Sequence, residues 1–177
     1  MRTKAVIVTL VLIVLVCACV GQANPYKADI GGKSVTFRAN LDEAKKVPIN
    51  DLDSLKNLLF SSSVQKIYIA YVPDNSSNGF YAVTGYELSY KMIAIQNTLY
   101  GDSPKIEGLL LNSTDEAYNM TNVDTPVILM KAGSDRTAVS FDRNLVIVEG
   151  KDMTENGRDY TDLDLAADKL LLALLEV

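Results

Sequence analysis

The chain contains no histidine and no tryptophan, and its only two cysteines, Cys17 and Cys19, sit inside the first two dozen residues. These absences exclude Ser-His-Asp and Cys-His nucleophilic sites, histidine-held haem and the usual Cys/His zinc centres. They also leave the remainder of the chain without a disulfide, so its fold depends on packing alone. Basic residues are the minority, 17 against 22 acids. An acidic body lacks the basic patch that phosphate backbones require, so nucleic acid is excluded as a partner. Nothing in the composition calls for a cofactor or a metal. Carboxylate chemistry, oxygen-ligand calcium sites and a Ser–Lys pair are what remain open.

What is present begins with an address. Arg2 and Lys4 precede Ala5–Val20, in which every residue but Thr9 is apolar. That run suits a signal peptide and falls short of the roughly 20 residues that span a hydrocarbon core. It ends in Val16-Cys17-Ala18-Cys19, a small or apolar triplet before a cysteine, which resembles the lipobox of prokaryotic lipoproteins. The resemblance implies a signal peptide over residues 1–18, diacylglycerol on the Cys19 thiol, and a lipidated tether over residues 19–25. Two acyl chains anchor stably where one binds only marginally. The implied location is the outer face of the cytoplasmic membrane. Gly21-Gln22-Ala23 offers a competing cleavage site before Asn24, which would release a soluble form. Removing residues 1–18 takes away Arg2 and Lys4, leaving 159 residues with 15 bases and 22 acids, net −7. Residues 26–177 have the size of one domain.

The pattern along that domain is mixed. Tyr26–Ile30 and Ser34–Ala39 predict a hairpin around Gly31-Gly32, and Asn40–Lys46 a helical turn stopped by Pro48. A helix capped by Asn50 or Asp51 runs to about Phe60. Lys66–Val72 is apolar on both faces, as in a central strand covered on two sides. The longest helix runs from about Gly79 to Tyr100, with Gly101 as C-cap and a core stripe of Tyr81, Gly85, Leu88, Met92, Ile95 and Leu99. Ile106–Leu111 and Pro126–Lys131 predict strands, and Ala138–Phe141 with Leu145–Glu149 a second hairpin. Thr161 and Asp164 form a capping-box-like start to a last helix, Asp162 to about Leu175. The expected fold is α/β or α+β: a single domain whose mixed sheet of about five or six strands is packed by two or three helices.

Candidate sites are few. Tyr68, Tyr71, Tyr81, Tyr86 and Tyr90 cluster on the central strand and long helix, where they could line a pocket for a sugar or peptide or pack as core tyrosines. Asn75, Asn112 and Asn119 head glycosylation sequons in expected loops. Asp152 to Asp159 follows the start of a calcium loop, but Leu163 replaces its final glutamate. Asp51/Asp53 and Asp162/Asp164 fall at helix starts, where carboxylates complement the dipole; a catalytic acid pair is the alternative. The last helix is apolar on more than one side, around Leu163, Leu165, Leu170, Leu171 and Leu174. It should therefore be buried in the fold or carry a protein partner or self-association.

Leu145–Leu175, with Val-Glu-Gly and Tyr-Thr-Asp-Leu-Asp-Leu-Ala-Ala-Asp-Lys-Leu-Leu-Leu, resembles the C-terminal part of archaeal cell-surface proteins of unknown function, as does Phe37–Pro48. That resemblance implies a surface location and no activity. The expectation is a lipid-anchored, non-enzymatic binding or structural domain of the cell envelope. A lipoprotein that captures a small ligand, peptide or sugar for a transporter stands second, and a carboxylate-based envelope hydrolase third.

Overall fold

The computed structural model describes residues 25–74, 76–101, 103–154 and 158–175. The proposed signal peptide, Cys19 and Asn75 lie outside them. Gly31 and Gly32, at φ +57° and +78°, close the first hairpin, with Asp29 accepting a hydrogen bond from the Gly32 amide at 2.9 Å. Both residues occupy the left-handed region that glycine enters without penalty. The hairpin strands are β1 (Lys27–Ile30) and β2 (Lys33–Thr36), paired antiparallel and apart from the main sheet. Two short helices follow, α1 (Leu41–Ala44) and α2 (Leu52–Leu59), the second capped by Asp51. Next come β3 (Lys66–Tyr71), the 23-residue α3 (Asn78–Tyr100) and β4 (Lys105–Leu110). The chain continues through α4 (Thr114–Met120), β5 (Val127–Ala132), β6 (Ala138–Asp142), β7 (Leu145–Gly150) and α5 (Asp162–Leu175).

The main sheet has five strands in the order β4-β3-β5-β7-β6, parallel throughout except for β6 at one edge. This is the expected α/β domain with a mixed sheet, and the two-stranded hairpin stands beside it. The helix α4 departs from the sequence reading, which placed nothing between β4 and β5. It makes the parallel crossover from β4 over β3 to β5. The two crossovers run in opposite directions along the sheet, and a constant right hand then requires helices on opposite faces. Accordingly α3 packs on the face of Ile67, Ile69, Ile128, Met130, Val146 and Val148, while Ala117 of α4 packs with Ala70, Val127, Leu129 and Leu145 on the other.

Most of the core lies on the α3 side, joined by α1, α2, the hairpin and α5. Gly85 lets α3 approach the sheet, since a Cβ there would meet Met130 Cε at 3.0 Å. At Gly150 a Cβ would overlap the backbone of Leu163, so the end of β7 abuts the first turn of α5. Of the stripe expected on α3, Tyr81, Leu88, Met92 and Ile95 are buried, but Leu99 is exposed. Helix α5 is buried on all sides by its own chain: Leu163, Leu165, Leu170, Leu171 and Leu174 are all covered. Its wide apolar surface is therefore covered by the α3-side core. No helix among the described residues is long and apolar enough to cross a membrane.

Candidate functional site

In doubly wound sheets, ligands bind beyond the carboxyl ends of the strands where the connections part. Here that point lies between β3 and β5, and side chains fill it. Tyr71 and Tyr81 stack with ring centroids 4.5 Å apart. The Tyr81 hydroxyl accepts a hydrogen bond from the Ala132 amide at 2.9 Å, tying the first turn of α3 to the end of β5. Burial pushes the Tyr81 phenol up from its ordinary range. Asp74 folds the loop before α3 by accepting from the Ser76 and Ser77 amides at 2.8 and 2.6 Å, which holds its carboxyl below the usual carboxylate range.

Beside the stack lies a hollow of about 220 Å³ bordered by Arg38, Ser76, Phe80, Thr84 and Asp164. Its charges are already matched. Asp164 is 3% exposed and takes the Arg38 guanidinium at 3.1 Å, the Thr84 hydroxyl at 2.7 Å and the Thr161 amide at 2.9 Å. The Asp164 amide in turn donates to the Thr161 hydroxyl at 3.3 Å, completing the reciprocal capping box that Thr161 and Asp164 predict. One turn on, Asp168 is equally buried and accepts from the Ala39 amide at 2.7 Å, with the Lys91 ammonium 3.8 Å away. Burial pushes the Asp168 carboxyl up to about 6, against the pull of Lys91 and of the Ala39 amide. These two acids fasten the segment around Arg38 and Ala39 to α5 and α3. The sequence reading paired Asp162 with Asp164 instead. Asp162 holds the loop before α5 by accepting from the Thr137 hydroxyl at 2.8 Å and the Asp152 amide at 3.1 Å.

The five tyrosines do not share a pocket. Tyr68 points to the α4 face of the sheet, where Lys66 Nζ lies 3.3 Å from its hydroxyl and 5.2 Å from its ring centroid. Tyr71 and Tyr81 form the stack. Tyr86 and Tyr90 stand on the outer face of α3, 70% and 65% exposed. A strand fixes alternation and a helix fixes a 3.6 period, so residue type alone could not assign these side chains to one place. Of the sequons, Asn112 is exposed in the turn before α4, with its amide nitrogen 3.2 Å from Glu116. Asn119 is exposed within α4 rather than in a loop. In the calcium-like loop, Asp152 accepts from the Thr154 amide and hydroxyl at 2.8 and 2.7 Å. Residues 155–157 of that loop lie outside the described residues. Among the described residues no cluster of three acids could hold a metal ion.

The outer face of α3 is the feature that sequence reading missed. Val83, Tyr86, Tyr90, Ile93 and Asn97 recur at three, four, three and four, about 200° around the helix from the core stripe, and all five are exposed. The helix carries only two charged residues, Glu87 and Lys91. Lys91 is buried and pairs with Glu87 at 2.9 Å, so no unpaired charge remains on the face. A groove of about 680 Å³ runs alongside, between Tyr86 and Tyr90 and the β1–β2 hairpin. Surface helices ordinarily turn a charged side to water. Charge depletion with tyrosine enrichment is instead the composition of interface cores. Comparison with protein-family models, with curated proteins and with solved structures finds no match to this chain.

Proposed function

We propose that this protein is a lipid-anchored domain on the outer side of the cytoplasmic membrane that acts by binding, through the outer face of α3. The observation that carries this reading is the uncharged row Val83-Tyr86-Tyr90-Ile93-Asn97, an apolar and aromatic surface left to solvent on a 23-residue helix. The anchor rests on the lipobox-like Val16–Cys19. Binding is favoured over hydrolysis because the buried acids Asp164 and Asp168 are engaged by protein donors.

Cysteine labelling on intact cells tests both halves. Ile93→Cys is expected to be shielded from a membrane-impermeant maleimide, while Val123→Cys, exposed far from this face in the sequence, is labelled. Equal labelling of both would remove the binding face. Labelling of Val123→Cys only after lysis would remove the location. Cys19→Ser should release the protein from the membrane fraction; full retention of that variant would overturn the anchor.

A further inference from the structure

We infer that the groove beside α3 takes an extended peptide of another protein, added as a strand to the free edge of β2 with an acidic side chain over Lys33; the inference rests on the binding face proposed above. The hairpin's hydrogen bonds decide which of its main-chain groups are free. Just beyond the paired strands, the Phe37 amide donates to the Tyr26 carbonyl at 2.7 Å. In an antiparallel pair, residues that exchange hydrogen bonds alternate with residues that do not. With Phe37 bonded to Tyr26, Val35 and Lys33 also turn their main chain toward β1. The N–H and C=O of Ser34 and Thr36 therefore point away from it. β2 pairs with β1 alone, both residues are exposed, and neither has another hydrogen-bond partner among the described residues. Such a row of unpaired main-chain donors and acceptors is a template for one more strand.

The groove opens onto that edge. All four residues of β2 line it, against Ile30 alone from β1, and Tyr86, Tyr90 and Asn97 of α3 stand opposite. A cleft between a strand edge and a helix suits an extended chain: its main chain bonds to the strand at a spacing of roughly 4.8 Å, and alternate side chains meet the cleft walls. Here those walls offer two tyrosine rings and Val35. The charge is specific too. Lys33 is exposed and has no ion-pair partner among the described residues, whereas Glu87 and Lys91, which also line the groove, neutralise each other at 2.9 Å. One unbalanced ammonium thus sits at the groove of a domain that is acidic as a whole, and it selects a carboxylate. Regularly spaced N–H and C=O groups with a carboxylate among them are the chemistry of an acidic peptide. The free edge is only two residues deep, so the complex is a transient one.

Phage-displayed linear heptapeptides, selected on the full chain in detergent, are the probe. Enriched peptides are expected to carry Asp or Glu at one fixed position, and selection on Lys33→Glu should replace it with Lys or Arg. A synthetic peptide of the enriched sequence is then N-methylated one residue at a time. Methylation at every second residue should weaken binding by roughly tenfold, the worth of one lost hydrogen bond, and methylation between them should change it little. An added strand turns alternate amides toward β2, and this readout on the peptide does not depend on how well any protein variant folds. Three results each overturn the inference: no enrichment over the bare support, binding indifferent to the position of the methyl group, or an acidic position that persists on Lys33→Glu. The labelling of Ile93→Cys on cells reads the binding face separately. Shielding of that cysteine with no peptide enriched overturns the peptide and leaves the face to another occupant, a second copy or the lipid surface. A fully labelled Ile93→Cys with no peptide enriched overturns both.

Discussion

Asp168 shows how one carboxyl can govern stability across a pH range. Its ordinary pKa is 3.8 and burial raises it to about 6 in the folded chain, among Lys91, the Glu87 paired with that lysine, Asp164 and Arg38. Between those values the folded state holds a proton that the unfolded state has released. Stability contributed by this group is therefore present at low pH and lost as pH rises through the folded value, by roughly 3 kcal/mol at most. Asp168→Asn keeps an acceptor for the Ala39 amide and removes the titration. Urea unfolding of both proteins should show the variant gaining on the native chain between pH 4 and pH 7. A difference that is the same at both pH values would mean that Asp168 does not ionise in this window. The acid itself was visible in the sequence only as a charge on an apolar helix. Its burial was not, because it depends on Arg38, Ala39 and Lys91 arriving from two other elements.

At the scale of elements, α5 and α3 make opposite points about apolar surface. The sequence of α5 leaves open whether Leu171 faces the fold or a partner. In the structure Leu170 and Leu171 are both fully covered, and an aspartate at either place loses roughly 1.5–3 kcal/mol of apolar burial and adds the larger penalty of an unpaired buried charge. Leu170→Asp and Leu171→Asp should thus each abolish the near-ultraviolet dichroism of the packed tyrosines. A folded Leu171→Asp protein would show that this side of α5 is not where the structure places it. For α3 the three-four spacing was legible, and with it the helix, its Gly101 cap and most of its buried stripe. The second stripe escaped notice because it has the same spacing and similar apolarity, and periodicity cannot choose which of two opposed stripes turns inward. Helix α4 escaped for a simpler reason. Seven residues make barely two turns, too few for a period to register, and Thr114, Asp115 and Asn119 read as loop. Missing it also hid the strand order, since only a crossover helix on the α4 face lets β5 lie beside β3.

For the whole molecule, one core on the α3 side joins the hairpin, four of the helices and strands from both halves of the chain, and the smaller cluster under α4 shares the same strands. No group of elements can leave without exposing the rest. The full chain carrying Cys19→Ser should unfold in a single calorimetric transition whose van't Hoff and calorimetric enthalpies agree. Two separated transitions would split the hairpin or the α4 side into a unit of its own. The single-domain reading came from length and from the lack of any linker or repeat, both plain in the sequence. The open tyrosine face could not be read there, because exposure belongs to the assembled fold.

The place of α5 bears on how the chain comes into being. Ala39 is held by Asp168, 129 residues later, and α5 packs against β7, α3 and α1. A stretch near the front of the domain is thus fastened by a helix far along the chain. Until α5 is available, β7 and α3 lack one of their packing partners and the acceptor that fixes the Arg38–Ala39 stretch is missing. Contacts this distant in sequence form late, after their loops have closed. A growing chain therefore cannot close the α3-side core until α5 has been made.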